Sequence, residues 1–479
     1  SNSQLTGSLH MQREKGDWYL PNEISQPLGL KVAQLKIVAQ NGKITGQFEL
    51  ASQSIGTAKA HLTVPVKQSN NSWAIPDETP LNGEVIARIK DLKWIDSLLG
   101  DSVSTNGQLQ VQATIQGTLK QPDFNGRVSG TQLSVVLLEH GINLQQGSLV
   151  ANFRQSNLKI DRLHFITPHE AQPDDRLLKD VKLDSASGSL TVTGDIGLVG
   201  NESQLDFKMN QLPFTHKTDY WIVASGSGQA RFHENSLSVT GNLAADAGLL
   251  LQPPQDRPEL PDDIVFVNSP NAAPKNLSLL LDIALNLGEK FYLRAAGLEG
   301  RLAGQLQVQN DKNNTLKVNG AIAAKDTTFK AYGQNLTVQR GIVSFQGPLD
   351  DPGLNILAVR EGLAVEAGVE IMGSVRHPRV TLVSTPNVPD TEKLSWIVLG
   401  RKPDPGGLDT SVLLAAAGSI LGGQSGGGIT EQITKALGVD EISFKQAGLG
   451  SSLSGQIGVV GKRISSRVYL SYERSLATT

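Results

Sequence analysis

The feature that most constrains this chain is a period of two in its apolar residues. Between residues 107 and 120, Leu109, Val111 and Ile115 occupy one parity, while glutamine and threonine fill most of the other. Successive side chains of a strand point to opposite faces, so this segment predicts a half-buried β-strand. An α-helix would need a period near ~3.6 instead.

The same alternation recurs along most of the sequence, and the apolar parity of the recurring runs carries no charge. These runs are Leu190/Val192/Ile196, Leu205/Phe207/Met209, Leu237/Val239/Leu243, Leu279/Leu281/Ile283/Leu285/Leu287, Phe291/Leu293, Leu302/Leu306/Val308, Leu316/Val318/Ile322 and Val365/Ala367/Val369/Ile371/Val375. The prediction is an all-β fold whose many strands share one apolar face.

Turn-forming residues separate the runs. Glycine and asparagine tolerate positive φ, and proline locks φ at a negative value that suits turns. We therefore expect turns wherever these residues cluster. The expected turns are at Asn41-Gly42, Gln121-Pro122-Asp123, Asn125-Gly126, Gly147, Asp351-Pro352-Gly353 and His377-Pro378, with longer loops at 167–180 and 253–274.

Helical signals are few and lie mostly near the C-terminus. Residues 91–99 predict a short helix, and Asp390 is placed to cap a helix on which Leu394, Ile397 and Val398 share a face. Two further helices are expected at 411–421 and 430–437, joined by the glycine-rich residues 422–428.

Composition excludes several classes of function. The chain has 479 residues, a net charge of −3 with acids and bases interspersed, and no cysteine. It therefore lacks the basic stripe that binds nucleic acid, as well as disulfides and thiolate chemistry. No nucleotide-binding loop or nucleophile elbow is present, so we expect no nucleic-acid partner, no cofactor and no enzymatic activity.

His164 and His169 form the one cluster that could suggest a metal. They lie near Glu170, Asp174 and Asp175 in the sequence. Because metal-ligand spacing is not reproduced elsewhere, we interpret the cluster as a polar loop beside a strand, with no metal site.

An apolar face of this kind is usually the closed core of a sandwich or barrel. Here the pattern runs beyond the ~250 residues at which a single core usually stops growing, without a break in composition. We therefore predict one long curled sheet whose apolar side lines a groove. A β-solenoid with a filled interior is the alternative.

Several segments resemble the TamB family of AsmA-like envelope proteins. They are Trp94-Ile95-Asp96-Ser97-Leu98-Leu99, Gly117-Thr118-Leu119-Lys120-Gln121-Pro122-Asp123-Phe124-Asn125-Gly126, Gly341-Ile342-Val343-Ser344-Phe345-Gln346-Gly347, Asp351-Pro352-Gly353-Leu354-Asn355-Ile356-Leu357-Ala358-Val359-Arg360, His377-Pro378-Arg379-Val380-Thr381-Leu382-Val383-Ser384-Thr385-Pro386, Leu394-Ser395-Trp396-Ile397-Val398-Leu399-Gly400-Arg401 and Gly461-Lys462-Arg463-Ile464-Ser465-Ser466-Arg467-Val468-Tyr469-Leu470-Ser471-Tyr472-Glu473. The resemblance is strongest from about Leu279 onward.

The resemblance implies a β-taco that crosses the periplasm of a Gram-negative bacterium, anchored in the inner membrane by an N-terminal helix that this sequence lacks. It implies an outer-membrane barrel partner of the TamA type and a translocation and assembly module. The implied role is conduction of phospholipid, whose acyl chains contact the groove. The alternative is a chaperone-like scaffold that holds unfolded outer-membrane or autotransporter proteins by β-augmentation.

On this basis residues 1–388 form the curled sheet, 389–440 a helical plug or cap, and 441–479 the strands that face the outer-membrane partner. Membrane contact is the alternative role of the helices expected at 411–421 and 430–437. The predicted groove-lining residues share the apolar parity. They are Leu109, Val111, Ile115, Leu190, Val192, Leu237, Val239, Leu281, Ile283, Leu285, Leu306, Val308, Leu316, Val318, Val369 and Ile371.

Overall fold

The fold is taken from a computed structural model. It describes residues 5–19, 27–69, 72–96, 102–169, 172–198, 202–251, 278–295, 297–310, 315–331, 334–403 and 413, and the backbone of 441–446, 456–465 and 468–475.

The described residues are predominantly β-strand, which confirms the predicted fold class. The strands are β1 (Gly7–Gln12), β2 (Leu30–Gln40), β3 (Lys43–Ser52), β4 (Gly56–Pro65), β5 (Lys67–Ser69), β6 (Ser72–Ala74), β7 (Asn82–Ile89), β8 (Val103–Gly117), β9 (Pro122–Leu137), β10 (Ile142–Gln155), β11 (Asn157–Pro168), β12 (Ser187–Gly197), β13 (Ser203–His216), β14 (Tyr220–His233), β15 (Ser236–Leu251), β16 (Ser278–Asn286), β17 (Phe291–Ala295), β18 (Leu298–Asn310), β19 (Leu316–Ala331), β20 (Gln334–Pro348), β21 (Gly353–Arg360), β22 (Glu366–Ser374), β23 (Pro378–Thr385), β24 (Glu441–Gln446), β25 (Gln456–Ser465) and β26 (Val468–Ser475).

Twenty-one of these strands belong to one mixed sheet. Apart from the separate β5–β6 hairpin, each strand from β1 to β15 pairs antiparallel with the next. The order then changes, because β15 pairs in parallel with β16 and, further along its length, with β17. Antiparallel pairing resumes between β16 and β18 and from β20 to β23. Strands β24–β26 form a separate three-stranded sheet.

The chain divides into two compact units. Unit 1 comprises Ser1–Arg294 and Leu302–Asn319, and unit 2 comprises Ala295–Arg301 and Gly320–Thr479. The three boundaries between the units fall within strands, in β17, β18 and β19.

Two of the predicted turns are wrong. Asn125-Gly126 lies inside β9 and Gly147 inside β10, although glycine and asparagine are turn formers. Both glycines meet a neighbouring strand where a side chain has little room. A Cβ on Gly126 would lie 2.1 Å from the carbonyl oxygen of Gln112, and a Cβ on Gly147 would lie 2.5 Å from Cε1 of Phe165. These two positions require glycine because the neighbouring strand packs closely against them. They do not mark a reversal of the chain.

Short helical elements lie beside the sheet. The sequence predicts a short helix over 91–99. Of these residues the structure describes 91–96, which contain the 3₁₀ turn Lys93–Ile95 and an α-helical residue at Asp96; 97–99 lie outside the described residues. Helix α1 (Asp390–Val398) is present as predicted, although Pro389 is its N-cap and Asp390 begins its first turn. The predicted helices at 411–421 and 430–437 lie outside the described residues, apart from Leu413. No described helix is long and apolar enough to span a bilayer.

Replacing a closely packed strand glycine with alanine tests this account. In Gly228→Ala the new Cβ would lie 2.3 Å from the carbonyl oxygen of Thr240 and 2.5 Å from Cζ of Phe207. We expect a loss of about 1–3 kcal/mol of unfolding free energy, measured by urea titration, because the strands must separate to admit the methyl group. Gly7→Ala is the matched control, since nothing lies within 4 Å of its new Cβ. Equal stability of the two variants would contradict this account.

Candidate functional site: the apolar face

The apolar face of unit 1 is defined by residues that stand directly opposite one another on successive strands. One such row crosses thirteen strands from β2 to β16 and contains no charged or polar residue. Its members are Ala33, Leu50, Ala58, Ala87, Val111, Val128, Ala151, Ile160, Gly194, Leu205, Ala230, Val239 and Leu281. Paired residues project to the same side of a sheet, so the row is one continuous apolar strip.

Parallel rows widen the strip. The second row is Ile89, Leu109, Gly130, Leu149, Leu163, Val192, Phe207, Gly228, Gly241, Ile283 and Val308. The third is Phe165, Leu190, Met209, Gly226, Leu243, Leu285 and Leu306. Neither row contains a charge, so the apolar face is several residues wide.

The reverse side of the same strands is polar. There Glu49 pairs in register with Lys59, whose Nζ lies 2.8 Å from the Glu49 carboxylate. Further along, Gln229 donates a 2.7 Å hydrogen bond to Asp206. An ion pair this exposed contributes little stability. The sheet of unit 1 therefore has a polar, solvent-exposed side and an apolar side.

Exposure varies along the apolar face. Met11 and Phe48, near the first strands, are 58% and 40% exposed, whereas Ala151 and Ile160 are 0% and 6% exposed. Ala151 and Ile160 are grouped with Val128 and flanking apolar residues of neighbouring strands. The face is therefore open to solvent near β1–β3 and closely packed around β9–β11.

The structure places ten of the predicted lining residues within the three rows. Ile115 and Leu237 lie on the same side of the sheet as the rows. Ile115 has the parity of Val111 on β8 and pairs with Phe124, and Leu237 has the parity of Val239 on β15 and pairs with Leu279. Leu316 and Val318 lie two residues apart on β19, and Val318 is almost fully buried. Val369 and Ile371 lie in unit 2. Sequence reasoning missed Ala151 and Ile160, since the β10 and β11 runs are less regular and contain bulges.

His164 and His169 form hydrogen bonds in this structure. Nδ1 of His164 lies 2.9 Å from the Thr191 hydroxyl, and the ring nitrogens of His169 lie 3.0 Å and 2.6 Å from the carbonyl oxygens of Ser185 and Gln211. Burial, and then the charge of Arg162, lower the pKa of His164. Within the described residues, no group of three potential ligands is arranged to hold a metal ion.

Comparison with known proteins gives the family. The family model of the TamB C-terminal domain matches residues 179–479, which is more than half of the chain. The chain belongs to the TamB family. A curated relative, the translocation and assembly module subunit TamB of Haemophilus influenzae, is 24% identical over 399 residues. That alignment covers 77% of this chain and 29% of the relative, so this TamB-family chain corresponds to a minor part of its relative's length.

In unit 2 of this TamB-family chain, α1 covers an apolar patch of its own. Leu394 and Ile397 of α1, 3% and 1% exposed, pack in one cluster with Val369 of β22 and Leu382 of β23. Ile371 packs against the same cluster. The two C-terminal residues of the predicted groove lining therefore lie in a filled core beneath a helix.

Arg360 fixes the C-terminal end of α1. Its Nη1 lies 2.8 Å from the carbonyl oxygen of Ile397 and 3.3 Å from those of Trp396 and Val398. These carbonyls lie in the last turn, where a helix lacks internal donors and carries partial negative charge. Arg360, at the end of β21, thus joins the helix to the sheet by a charge-assisted contact.

Deleting this contact should loosen α1. We expect Arg360→Ala to weaken docking of α1 by about 1–2 kcal/mol, because the last-turn carbonyls lose a cationic donor. Hydrogen–deuterium exchange of residues 390–398 measures the effect as faster exchange. Arg379→Ala, which removes an exposed arginine of β23, is the matched control. Equal protection of α1 in both variants would show that Arg360 does not hold it.

Proposed function

We propose that the apolar face carries phospholipid acyl chains, so that this chain acts as a segment of a lipid conduit. The observation that carries the proposal is the uncharged row that continues in register over thirteen strands. An ordinary closed core does not need an uninterrupted apolar path along a whole sheet. A passenger that moves from strand to strand does need one.

The energy scale explains why such a path is useful. A phospholipid with two chains of ~16 carbons exposes about 30 methylenes in water, at a cost of ~0.8 kcal/mol each, or roughly 24 kcal/mol. Spontaneous crossing of an aqueous gap is negligible at that cost. An apolar face removes most of the cost, provided that the head group stays in water. The polar reverse side of the strands keeps the carrier itself soluble.

The remaining parts of the proposal follow the TamB family. We place the chain in the periplasm of a Gram-negative bacterium, as part of an inner-membrane-anchored protein, with a TamA-type outer-membrane barrel as partner of the C-terminal strands. We propose that α1 and the residues after it cap the conduit, and that the protein catalyses no reaction. The name of the H. influenzae relative, a translocation and assembly module subunit, supports the choice of partner.

Two adjacent leucines of β16 give a matched test. Leu281 is half-buried in the first row of the apolar face, whereas Leu280, 37% exposed, is on the polar side. Leu281→Asp puts a carboxylate in the path of the acyl chains, which is costly without a partner. We expect transfer of fluorescent phospholipid between donor and acceptor vesicles to fall by about tenfold or more.

Leu280→Asp is the control, and its transfer rate should remain within about twofold of the unmodified chain. Both variants should show the same far-ultraviolet circular dichroism, because a single exposed-side or half-buried substitution leaves the strands paired. Normal transfer by a folded Leu281→Asp variant would overturn the lipid conduit. Val369, by contrast, is unsuitable for this experiment, since a charge there would disrupt the packing of α1.

A chaperone-like scaffold is the second candidate function. The observation in its favour is β1, whose six residues are all exposed. An exposed edge strand offers backbone donors and acceptors to an added strand. In this alternative the passenger is an unfolded outer-membrane or autotransporter polypeptide.

A photocrosslinking residue in place of Val239 separates the two candidates. Val239 lies in the first row of the apolar face, so a passenger on that face should be captured there. We expect phospholipid adducts by mass spectrometry, because acyl chains match an uncharged row. The same residue placed at the exposed Thr240, on the polar side, is the control for non-specific capture. Polypeptide adducts at Val239 without lipid would favour the scaffold.

A further inference from the structure

The connection between β11 and β12 contains a segment that packs on strands far from it in the sequence, and we name residues 172–183 the strap. Leu178 and Val181 of the strap are 2% and 6% exposed. They share one buried cluster with residues of β14 and β15, which are Trp221, Val223, Ala247 and Leu249. None of these residues belongs to the three rows of the apolar face. The strap therefore covers a separate apolar patch, the Trp221 cluster.

An ion pair anchors the middle of the strap. The side chain of Asp175, 7% exposed, accepts hydrogen bonds of 2.7 and 2.8 Å from the two Nη atoms of Arg294 in β17. Oδ1 of Asp175 also accepts from the amide of Leu177 at 2.9 Å, at the start of a 3₁₀ turn. Arginine stays protonated in proteins, so this bidentate anchor does not depend on a histidine.

A bulge in β13 anchors the base of the same connection. One extra residue lies between Met209 and Leu212 of β13, and Gln211 at this place has a φ of 42° and is 8% exposed. A bulged residue loses its partners in the sheet. The Gln211 side-chain oxygen instead accepts hydrogen bonds from the amide and the hydroxyl of Ser185, at 3.1 and 3.0 Å. Its backbone carbonyl oxygen faces the ring of His169.

Both ring nitrogens of His169 contact carbonyl oxygens. Nδ1 lies 3.0 Å from the oxygen of Ser185 and Nε2 lies 2.6 Å from that of Gln211, and we name these two contacts the clasp. A carbonyl oxygen only accepts, so each nitrogen must carry a hydrogen to form its bond. Neutral imidazole has one N–H and imidazolium has two. The clasp is therefore complete only when the ring is protonated.

Titratable groups also face the clasp from the elements packed around it. Asp184 accepts a 3.1 Å hydrogen bond from the Gln211 side chain. Asp246 of β15 accepts a 2.6 Å bond from Ser225, whose hydroxyl accepts from the Gln211 amide at 2.8 Å. His216 of β13 lines the same small cavity as the clasp ring. The other residues that line this cavity are uncharged, namely Gly141, Asn143, Thr167, Pro168, Pro213, Trp221 and Val223. Each carboxylate already accepts a hydrogen bond, so the number of donors at the clasp changes with the proton on its ring.

We propose that His169 makes the strap proton-dependent: the imidazolium holds both carbonyl oxygens and keeps the strap on the Trp221 cluster, and the neutral ring releases one oxygen and loosens the strap. A part-buried carbonyl oxygen that loses its donor destabilises the closed strap. The stabilisation is present at low pH, where the ring is protonated, and is lost as the pH rises. This inference does not depend on what the apolar face carries.

Hydrogen–deuterium exchange measures how often the strap opens. The amides of Leu177, Leu178 and Val181 are hydrogen-bonded within the connection and serve as reporters. We expect their protection factors, corrected for the intrinsic exchange rate at each pH, to be about tenfold higher at about pH 5.5 than at about pH 8, because a bond from a charged donor is lost. Equal protection at the two pH values in the unmodified chain would overturn the proposal.

Two histidine variants give a matched test. His169→Gln replaces the ring with an amide whose donors do not titrate, so the difference in protection between the two pH values should shrink to within about twofold. His164→Gln is the control. Nδ1 of His164 lies 2.9 Å from the hydroxyl of Thr191, which can donate or accept and so suits either form of the ring. The control should keep the full pH response. A full response in His169→Gln, or its loss in both variants, would contradict the proposal.

Asp175→Asn distinguishes a proton-dependent clasp from a strap that is merely loosened. The substitution removes the charge that pairs with Arg294, so protection of the strap should fall at both pH values by a similar factor. The ratio between the two pH values should remain about tenfold, because the clasp is intact. Disappearance of the ratio in Asp175→Asn would assign the pH response to the ion pair and would overturn the role of His169.

Discussion

The structure depends on strand register. Because the side-chain period of a strand is two, a slip of one residue between any two neighbours would turn one strand's apolar set to the polar side. The row from Ala33 to Leu281 survives the β-bulges in β10, β11 and β13. At each bulge an extra residue is absorbed and the apolar partners meet again on the next pair. Register therefore supplies both the fold and the continuity of the surface.

Around β9–β11 of unit 1, burial comes from neighbouring strands of the same sheet. Most β proteins hide an apolar face against a second sheet or a helix. Here Ala151 is fully buried among strand neighbours, and the ring of Phe207 occupies the space that a side chain at Gly228 would need. Unit 2 uses the common solution, with α1 as a cover.

Most of the fold can be predicted from the local pattern of apolar residues. The alternation that includes Leu109, Val111 and Leu281 predicts both the strands and the face that these residues share, because both follow from the geometry of a single strand. The hydrogen bond from the Thr215 hydroxyl to the carbonyl oxygen of His140, by contrast, joins residues 75 positions apart, and nothing local to either residue signals it. Glycine misled the turn prediction at Gly126, since the same residue serves reversal and close packing. Val369 is covered because α1 docks over it. The alternation of apolar residues within β22 does not predict where a helix docks.

The order of pairing also shapes how the chain can reach this structure. From β1 to β15, omitting the β5–β6 hairpin, each strand bonds to the next one in sequence, so contacts are local and loop closure costs little entropy at each step. A chain delivered end-first through a narrow pore could therefore fold one hairpin at a time as it emerges. The parallel pairing of β15 with β16 interrupts this progression. Vectorial folding would pause there, with the edge of β15 exposed, until the following segment had been delivered.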